Sequence, residues 1–173
     1  MAISLYELTV PSYLQTVNAI SGVLARGATF CKEKGIDPQS FVETRLFPDM
    51  LPLAFQVASV EHHSAGALAA LKSGVFNPPS GPLPADYAAL QAKIDHAKAE
   101  LEALTPDAVN ALSGGDVRFE MGDLKMPFTA ENFILSFSLP NFHFHATTTY
   151  DILRSKGVPL GKRHYMGQLR MKA

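Results

Sequence analysis

The chain has 173 residues, of which 47% are hydrophobic and 18% are charged, and its formal net charge at pH 7 is -1. This composition predicts one folded domain over residues 1–173, and the near-zero charge offers no basis for binding nucleic acid or an anionic membrane. No apolar run approaches the roughly 20 residues of a membrane helix. The N-terminal residues lack the pattern of a secretory signal. The single cysteine, Cys31, favours a reducing cytoplasm and a plain, partly buried thiol over a nucleophile.

Three amphipathic helices are predicted in the first two thirds of the chain, where apolar residues recur every three or four positions. The first runs from residue 4 or 11 to residue 34, and a break is expected at Pro11 because proline is tolerated only near a helix start. The second covers residues 51–72, and the third covers residues 85–104. A short helix over residues 37–44 is predicted between the first two.

Several stretches depart from the helical pattern. Residues 75–85 contain four prolines and predict a long loop that crosses the bundle. Residues 117–126 alternate apolar and polar side chains around Gly122-Asp123, which predicts a small β-hairpin. The tail that begins at Gly157 has glycines spaced too widely for a helix.

The last helix is predicted over residues 129–156, with Thr129 as its N-cap. Pro140 predicts a kink or a split in this helix, because proline removes a backbone hydrogen bond and clashes with the carbonyl four residues earlier. Asn141 and His145 lie on or beside the face assigned to the core. That face consists of Ile134, Phe137, Phe144, Thr148 and Ile152.

His63 on the second helix and His145 on the last helix are the two histidines predicted to flank the core. Imidazoles from facing helices can build a metal site inside a bundle, although a catalytic zinc site normally has three protein ligands and a water. The alternative is a pair of buried histidines that hydrogen-bond to each other or to Asn141, Thr148 or a tyrosine. In both cases the two side chains are expected to lie within roughly 10 Å of each other.

The segments FQVASVEHHSAGA (residues 55–67) and PNFHFHATTTYDILRSKGVPLGKR (residues 140–163) resemble the signature stretches of a bacterial domain family of unknown function. That family is similar to the DinB/YfiT-like metalloenzymes. The resemblance covers most of the chain and implies an all-α four-helix bundle of up-down-down-up topology. It also implies a long crossover after the second helix and a small hairpin before the fourth, and it favours a homodimer.

The wider superfamily binds a divalent metal, often nickel or zinc, through one histidine on helix two and a His-x-x-x-His pair on helix four. By position, His63 matches the helix-two ligand and His145 is the best match on helix four. The second histidine of that pair is absent, and Thr149 occupies the nearest register. The resemblance therefore implies an incomplete histidine site, and it leaves open whether the protein is an enzyme.

Three functions agree with these features. The first is a metal-dependent enzyme with two histidine ligands. The second is a non-catalytic protein that binds a small apolar molecule between helices two and four. The third is a self-associating protein, because the hairpin face formed by Val117, Phe119 and Met121 needs a packing partner and residues 65–70 are small enough for close helix contact. The small-molecule pocket would be lined by Phe55, Phe137, Asn141, Phe144, His145 and Thr149.

Overall fold

The computed structural model describes residues 3–172. Its α-helices are α1 (Leu5–Lys34), α2 (Gln39–Val42), α3 (Leu53–Glu61), α4 (Ala67–Ser73), α5 (Tyr87–Glu102), α6 (Pro106–Asn110), α7 (Ala130–Phe133), α8 (Leu139–Ser155) and α9 (Lys162–Met166). Two π-helical turns, π1 (His62–Gly66) and π2 (Ile134–Ser138), join α3 to α4 and α7 to α8. Within the described residues, no helix is both apolar enough and long enough to cross a membrane.

Helix α1 is continuous, so the break expected at Pro11 is wrong. The Ser4 hydroxyl accepts a hydrogen bond from the Glu7 amide, and Gly35 ends the helix in the left-handed conformation. Proline removes only one amide donor from the helix, and the neighbouring side chains of Val10 and Tyr13 are buried in the core. Tertiary packing therefore keeps the helix intact across the proline.

The interruption predicted at Pro140 is present as π2. The Leu139 amide donates to the Ile134 carbonyl five residues earlier, and Pro140, which has no amide proton, follows directly at the start of α8. The wider turn rotates the following residues around the helix axis. Phe142 is fully buried, and Thr148 and Ile152 of the predicted core face are buried too, whereas Phe144, which the sequence pattern assigned to the same face, has 57% of its surface exposed.

A three-stranded sheet has the order β1 (Val75–Phe76), β2 (Asp116–Met121) and β3 (Leu124–Thr129). Strands β2 and β3 form the predicted antiparallel hairpin, and Gly122 begins its two-residue turn with a φ of 58°. Strand β1 pairs with β2 in parallel, and it lies at the start of the segment predicted to be a loop. The molecule is thus mostly helical with a small sheet, which corrects the all-α expectation.

The hairpin packs its apolar face on its own chain. Val117 and Phe119 are buried, and the Phe119 ring lies 5.0 Å from the Phe137 ring, centre to centre. Met121, at the end of the strand, has 53% of its surface exposed. This packing removes the argument that the hairpin face needs a second chain to cover it.

The long helices form the frame that holds the candidate site. Helix α1 packs against α5 and α8, and α3 packs against the same two helices. The short helix α9 packs on α1, where the Gln15 side-chain amide donates to the Met166 carbonyl. The prediction of a tail without helix is therefore wrong, because Gly161 and Gly167 lie at the ends of α9 and not inside it.

Candidate functional site

His63 lies in π1 with only 6% of its surface exposed. The centre of its ring is 5.3 Å from that of Phe76 and 6.0 Å from that of Phe137, so its surroundings are largely apolar. Among the described residues, Nδ1 of His63 has no hydrogen-bond partner although it is buried. A buried polar atom without a hydrogen-bond partner destabilises the folded protein, so the presence of this nitrogen in the core needs an explanation.

His145 lies on α8, and its orientation is set by Gln56 of α3. The Gln56 side-chain NH₂ donates to the Leu51 carbonyl at 2.9 Å, so its carbonyl oxygen faces His145. The distance from that oxygen to Nδ1 of His145 is 2.8 Å. Since an amide oxygen can only accept, Nδ1 of the neutral imidazole carries the proton and Nε2 keeps a free lone pair.

The two histidines lie together, as the sequence predicts. Their ring centres are 5.7 Å apart and the ring planes are inclined by only 16°. Burial lowers the pKa of His63 to about 3, with further lowering by His62 and His145. Burial, followed by the charge of His62, lowers the pKa of His145 to about 4. Both imidazoles are therefore neutral at pH 7 and can offer nitrogen lone pairs.

The predicted pocket residues occupy different parts of this region. Phe55 and Phe144 lie against the His145 ring, with ring centres at 5.8 Å and 5.2 Å, whereas Phe137 lies beside His63. The Asn141 side chain donates to the Phe137 carbonyl, and the buried Thr149 hydroxyl donates to the His145 carbonyl. These two polar groups are thus occupied by backbone hydrogen bonds within the last helical segment.

A family model described as "Domain of unknown function (DUF1993)" matches residues 5–166. The chain belongs to this family. Among solved structures, the DUF1993 chain is similar to a crystal structure of a DinB family member protein from Shewanella denitrificans at 1.83 Å resolution. The two are 24% identical, the match covers 98% of this chain and 95% of the other, and the TM-score is 0.82. This likeness shows a DinB-like fold. No curated protein matches the chain.

The two imidazoles of the DUF1993 site are ligands of a type that transition metals bind, but a catalytic zinc site normally has three protein ligands. Both imidazoles are neutral at pH 7 and can offer nitrogen lone pairs, which zinc and nickel accept as ligands. Among residues 3–172, however, no three histidine, cysteine or acidic side chains come close enough to hold an ion together. The two imidazoles could therefore supply two nitrogen ligands and leave other coordination positions open.

Two contributors to the site were not predicted from the sequence. Gln56 precedes His63 by seven residues, or two helical turns, so its place on the same face as His63 could have been inferred. His62 was not among the histidines predicted to flank the core, yet it is only partly exposed. Its Nε2 lies 2.8 Å from the Asn77 carbonyl, and its ring packs on Phe76 of β1. This burial depends on a strand that the sequence pattern did not reveal.

Proposed function

We propose that this DUF1993 protein is an enzyme of the DinB-like kind that binds one divalent metal ion, nickel or zinc, through His63 and His145. The observation that carries the proposal is the pairing of two neutral imidazoles from facing helices, with ring centres 5.7 Å apart. Nδ1 of His63, which is buried and has no hydrogen-bond partner in the described part of the chain, supports the proposal, because a ligand would satisfy this atom.

The hydrogen bond from His145 to Gln56 supports the same function. Histidines that bind metals usually donate their other ring N–H to an oxygen atom, which fixes the tautomer and the ring orientation. Gln56 provides this oxygen and is itself held by the Leu51 carbonyl. When bound, the ion would act as a Lewis acid toward a water or thiol in an open position. The aromatic rings of Phe55 and Phe144 would orient an apolar group beside it.

The proposal is tested by titrating zinc and nickel into metal-free protein purified without a histidine tag. We expect one ion per chain for the wild type, and a loss of affinity of roughly a hundredfold for His63→Ala or His145→Ala, since each removes one of two ligands. Gln56→Ala should weaken binding by about 10–100-fold through loss of the oriented tautomer. His96→Ala, at a side chain with 64% of its surface exposed on α5, is the matched control and should bind as the wild type does.

Binding by the wild type that is unchanged in both His63→Ala and His145→Ala would contradict the site. A wild type that binds neither ion would favour the second candidate, a protein that binds a small apolar molecule. A cavity of about 440 Å³ supports that candidate, because Phe55 and His62, which line it, also contact the histidine pair. Mass spectrometry of small molecules released from the purified protein would then identify the occupant.

We also propose the up-down-down-up arrangement of four long helical segments. Gly27 of α1 lies beside Tyr87 at the start of α5, and Ser21 bonds to Gln91 one turn later, which supports an antiparallel pair. Near the other end of α1, Tyr13 contacts Phe142, whereas Gly27 approaches the end of α8, which supports a parallel pair.

The buried free thiol of Cys31 agrees with a location in the reducing cytoplasm.

We further propose a homodimer in which a second copy covers a groove between α4 and α6. The groove has a volume of about 400 Å³, and Lys72 and Glu100 among its lining residues carry opposite charges. In a two-fold dimer each charge could meet its opposite on the second copy. The apolar lining residues are Ala65, Leu68, Ala69, Leu104, Ala108, Val109 and Leu112.

Light scattering at micromolar concentration tests the dimer. We expect twice the chain mass of 18.7 kDa for the wild type. Ala69→Glu should give the single mass, because Ala69 is exposed in the groove and a buried unpaired charge is strongly disfavoured. Ala88→Glu, at an exposed alanine on α5, should remain dimeric. A wild-type mass near 18.7 kDa would refute the proposal.

A further inference from the structure

A chain of two buried hydrogen bonds joins α1, π2 and π1 next to the histidine pair. The Ser138 hydroxyl oxygen lies 2.7 Å from the backbone carbonyl oxygen of His63 and 2.7 Å from the Tyr13 hydroxyl oxygen. Tyr13 and Ser138 are fully buried. A carbonyl can only accept, so Ser138 donates its single proton to His63 and Tyr13 donates to Ser138.

This connection joins the two π-helical turns found within residues 3–172. His63 lies in π1, and Ser138 is the last residue of π2. Single π-helical turns within α-helices are often found at functional sites, where they change the direction of a side chain. Here the Ser138 side chain in π2 donates to the backbone carbonyl of His63 in π1, and His63 is the residue that would bind the ion.

The two histidines are held in different ways. His145 has a side-chain partner in Gln56, whereas Nδ1 of His63 has no hydrogen-bond partner within residues 3–172. The hydrogen bond from Ser138 to the His63 carbonyl is therefore a polar contact, made from another helical segment, that fixes His63 through its backbone. Packing against Phe76 and Phe137 restricts the ring itself.

We propose that Ser138 is a positioning residue for His63, with Tyr13 supporting Ser138 but not acting on His63 directly. The inference rests on the proposed function as far as metal binding is concerned. It predicts different effects for the variants Tyr13→Phe and Ser138→Ala. Tyr13→Phe removes the donor to Ser138 but leaves the proton of Ser138 on the His63 carbonyl, whereas Ser138→Ala removes the contact to His63 altogether.

The test uses the full chain with ¹³C-labelled histidine, and it reads two signals at fixed pH. The first is the Cε1–H resonance of His63 in metal-free protein, assigned by its absence in His63→Ala. The second is the zinc affinity. We expect Ser138→Ala to move the His63 resonance and to weaken zinc binding by at least about tenfold, the usual effect of losing a group that orients a ligand. Tyr13→Phe should lower the melting temperature but leave the resonance and the affinity near the wild-type values.

Ser136→Ala is the matched control, because the hydroxyl of Ser136 lies in the same turn but donates to the Asn132 carbonyl of its own helical segment. It should change neither signal. If Ser138→Ala does not fold, the double variant Tyr13→Phe/Ser138→Ala replaces it, since removing both hydroxyls leaves neither of them unpaired. The double variant should show the same changes as Ser138→Ala.

Two results would overturn the inference. One is a Ser138→Ala protein, or the double variant in its place, with an unchanged His63 resonance. The other is a Tyr13→Phe protein that loses as much zinc affinity as Ser138→Ala, because the effect would then come from packing alone. A wild type that binds no zinc, together with a resonance that moves in Ser138→Ala, would refute the metal site but support the positioning role. The metal site and the positioning role of Ser138 can therefore be refuted independently of each other.

Discussion

Lowering the pH from 7 to 4 is expected to destabilise the folded protein by roughly 3 kcal/mol through His63 alone. Burial lowers the pKa of His63 from 6.5 to about 3 in the folded state. Between these values the unfolded chain binds a proton at this residue and the folded chain does not, so stability rises with pH. The contribution is complete above pH 6.5 and is lost as the pH falls toward 3, at a slope of about 1.4 kcal/mol per unit.

His145 acts in the same direction, because its pKa is lowered to about 4. Its effect should be smaller, since its side chain is only partly buried and solvent reduces the cost of a charge there. Carboxylates also contribute to acid denaturation, so the total loss does not identify the histidines. The informative comparison is how steeply the free energy of unfolding depends on pH in the wild type and in a variant that lacks the titrating ring.

Urea unfolding of metal-free protein at pH 7, 6, 5 and 4 measures this difference. His63→Gln should have a free energy of unfolding that depends less steeply on pH below 6.5, because glutamine does not bind a proton. Equal slopes for the wild type and His63→Gln would show that His63 is accessible to protons in the folded state.

The placement of His63 and His145 could be predicted because it depends on local periodicity. Each histidine lies beside an apolar row on a long helix, and two such rows must face each other in a bundle. The prediction of Phe144 as a core residue was wrong, because Phe144 lies at the edge of the predicted face and its side chain is exposed, whereas Thr148 and Ile152 of the same face are buried.

Contacts between distant segments could not be predicted in the same way. Strand β1 has two residues, and it exists because β2, some forty residues later, offers a free edge for parallel pairing. The hydrogen bond between Ser138 and His63 likewise joins residues that are 75 positions apart. Single-sequence periodicity carries no information about such pairs, whereas the hairpin around Gly122 was predicted because its turn is local.

The close contact between α1 and α5 at Gly27 predicts that a larger residue at this position destabilises the protein. Gly27 is buried, and a Cβ atom added there would overlap the Tyr87 hydroxyl and lie 3.3 Å from the ring carbon that carries it. That hydroxyl donates to the Leu24 carbonyl at 2.8 Å inside the core. Gly27→Ala should therefore displace Tyr87 and break its buried hydrogen bond.

We expect Gly27→Ala to lower the free energy of unfolding by about 2–3 kcal/mol. Overpacking costs about 1–3 kcal/mol and an unpaired buried hydroxyl a similar amount, against a gain of about 1 kcal/mol from alanine in a helix. Gly22→Ala is the matched control on the same helix, because Gly22 is exposed and an added Cβ would have no neighbour within 4 Å. It should stabilise the protein by about 1 kcal/mol.

The double variant Gly27→Ala/Tyr87→Phe separates the clash from other effects of alanine at position 27. Removing the Tyr87 hydroxyl takes away the closest contact of the new methyl group, so part of the loss in Gly27→Ala should be recovered. Tyr87→Phe alone should cost about 1 kcal/mol, the usual value of one hydrogen bond. Urea unfolding at 25 °C measures all four variants. If Gly27→Ala were as stable as Gly22→Ala, α1 and α5 would have to lie farther apart at Gly27 than the distance to Tyr87 indicates.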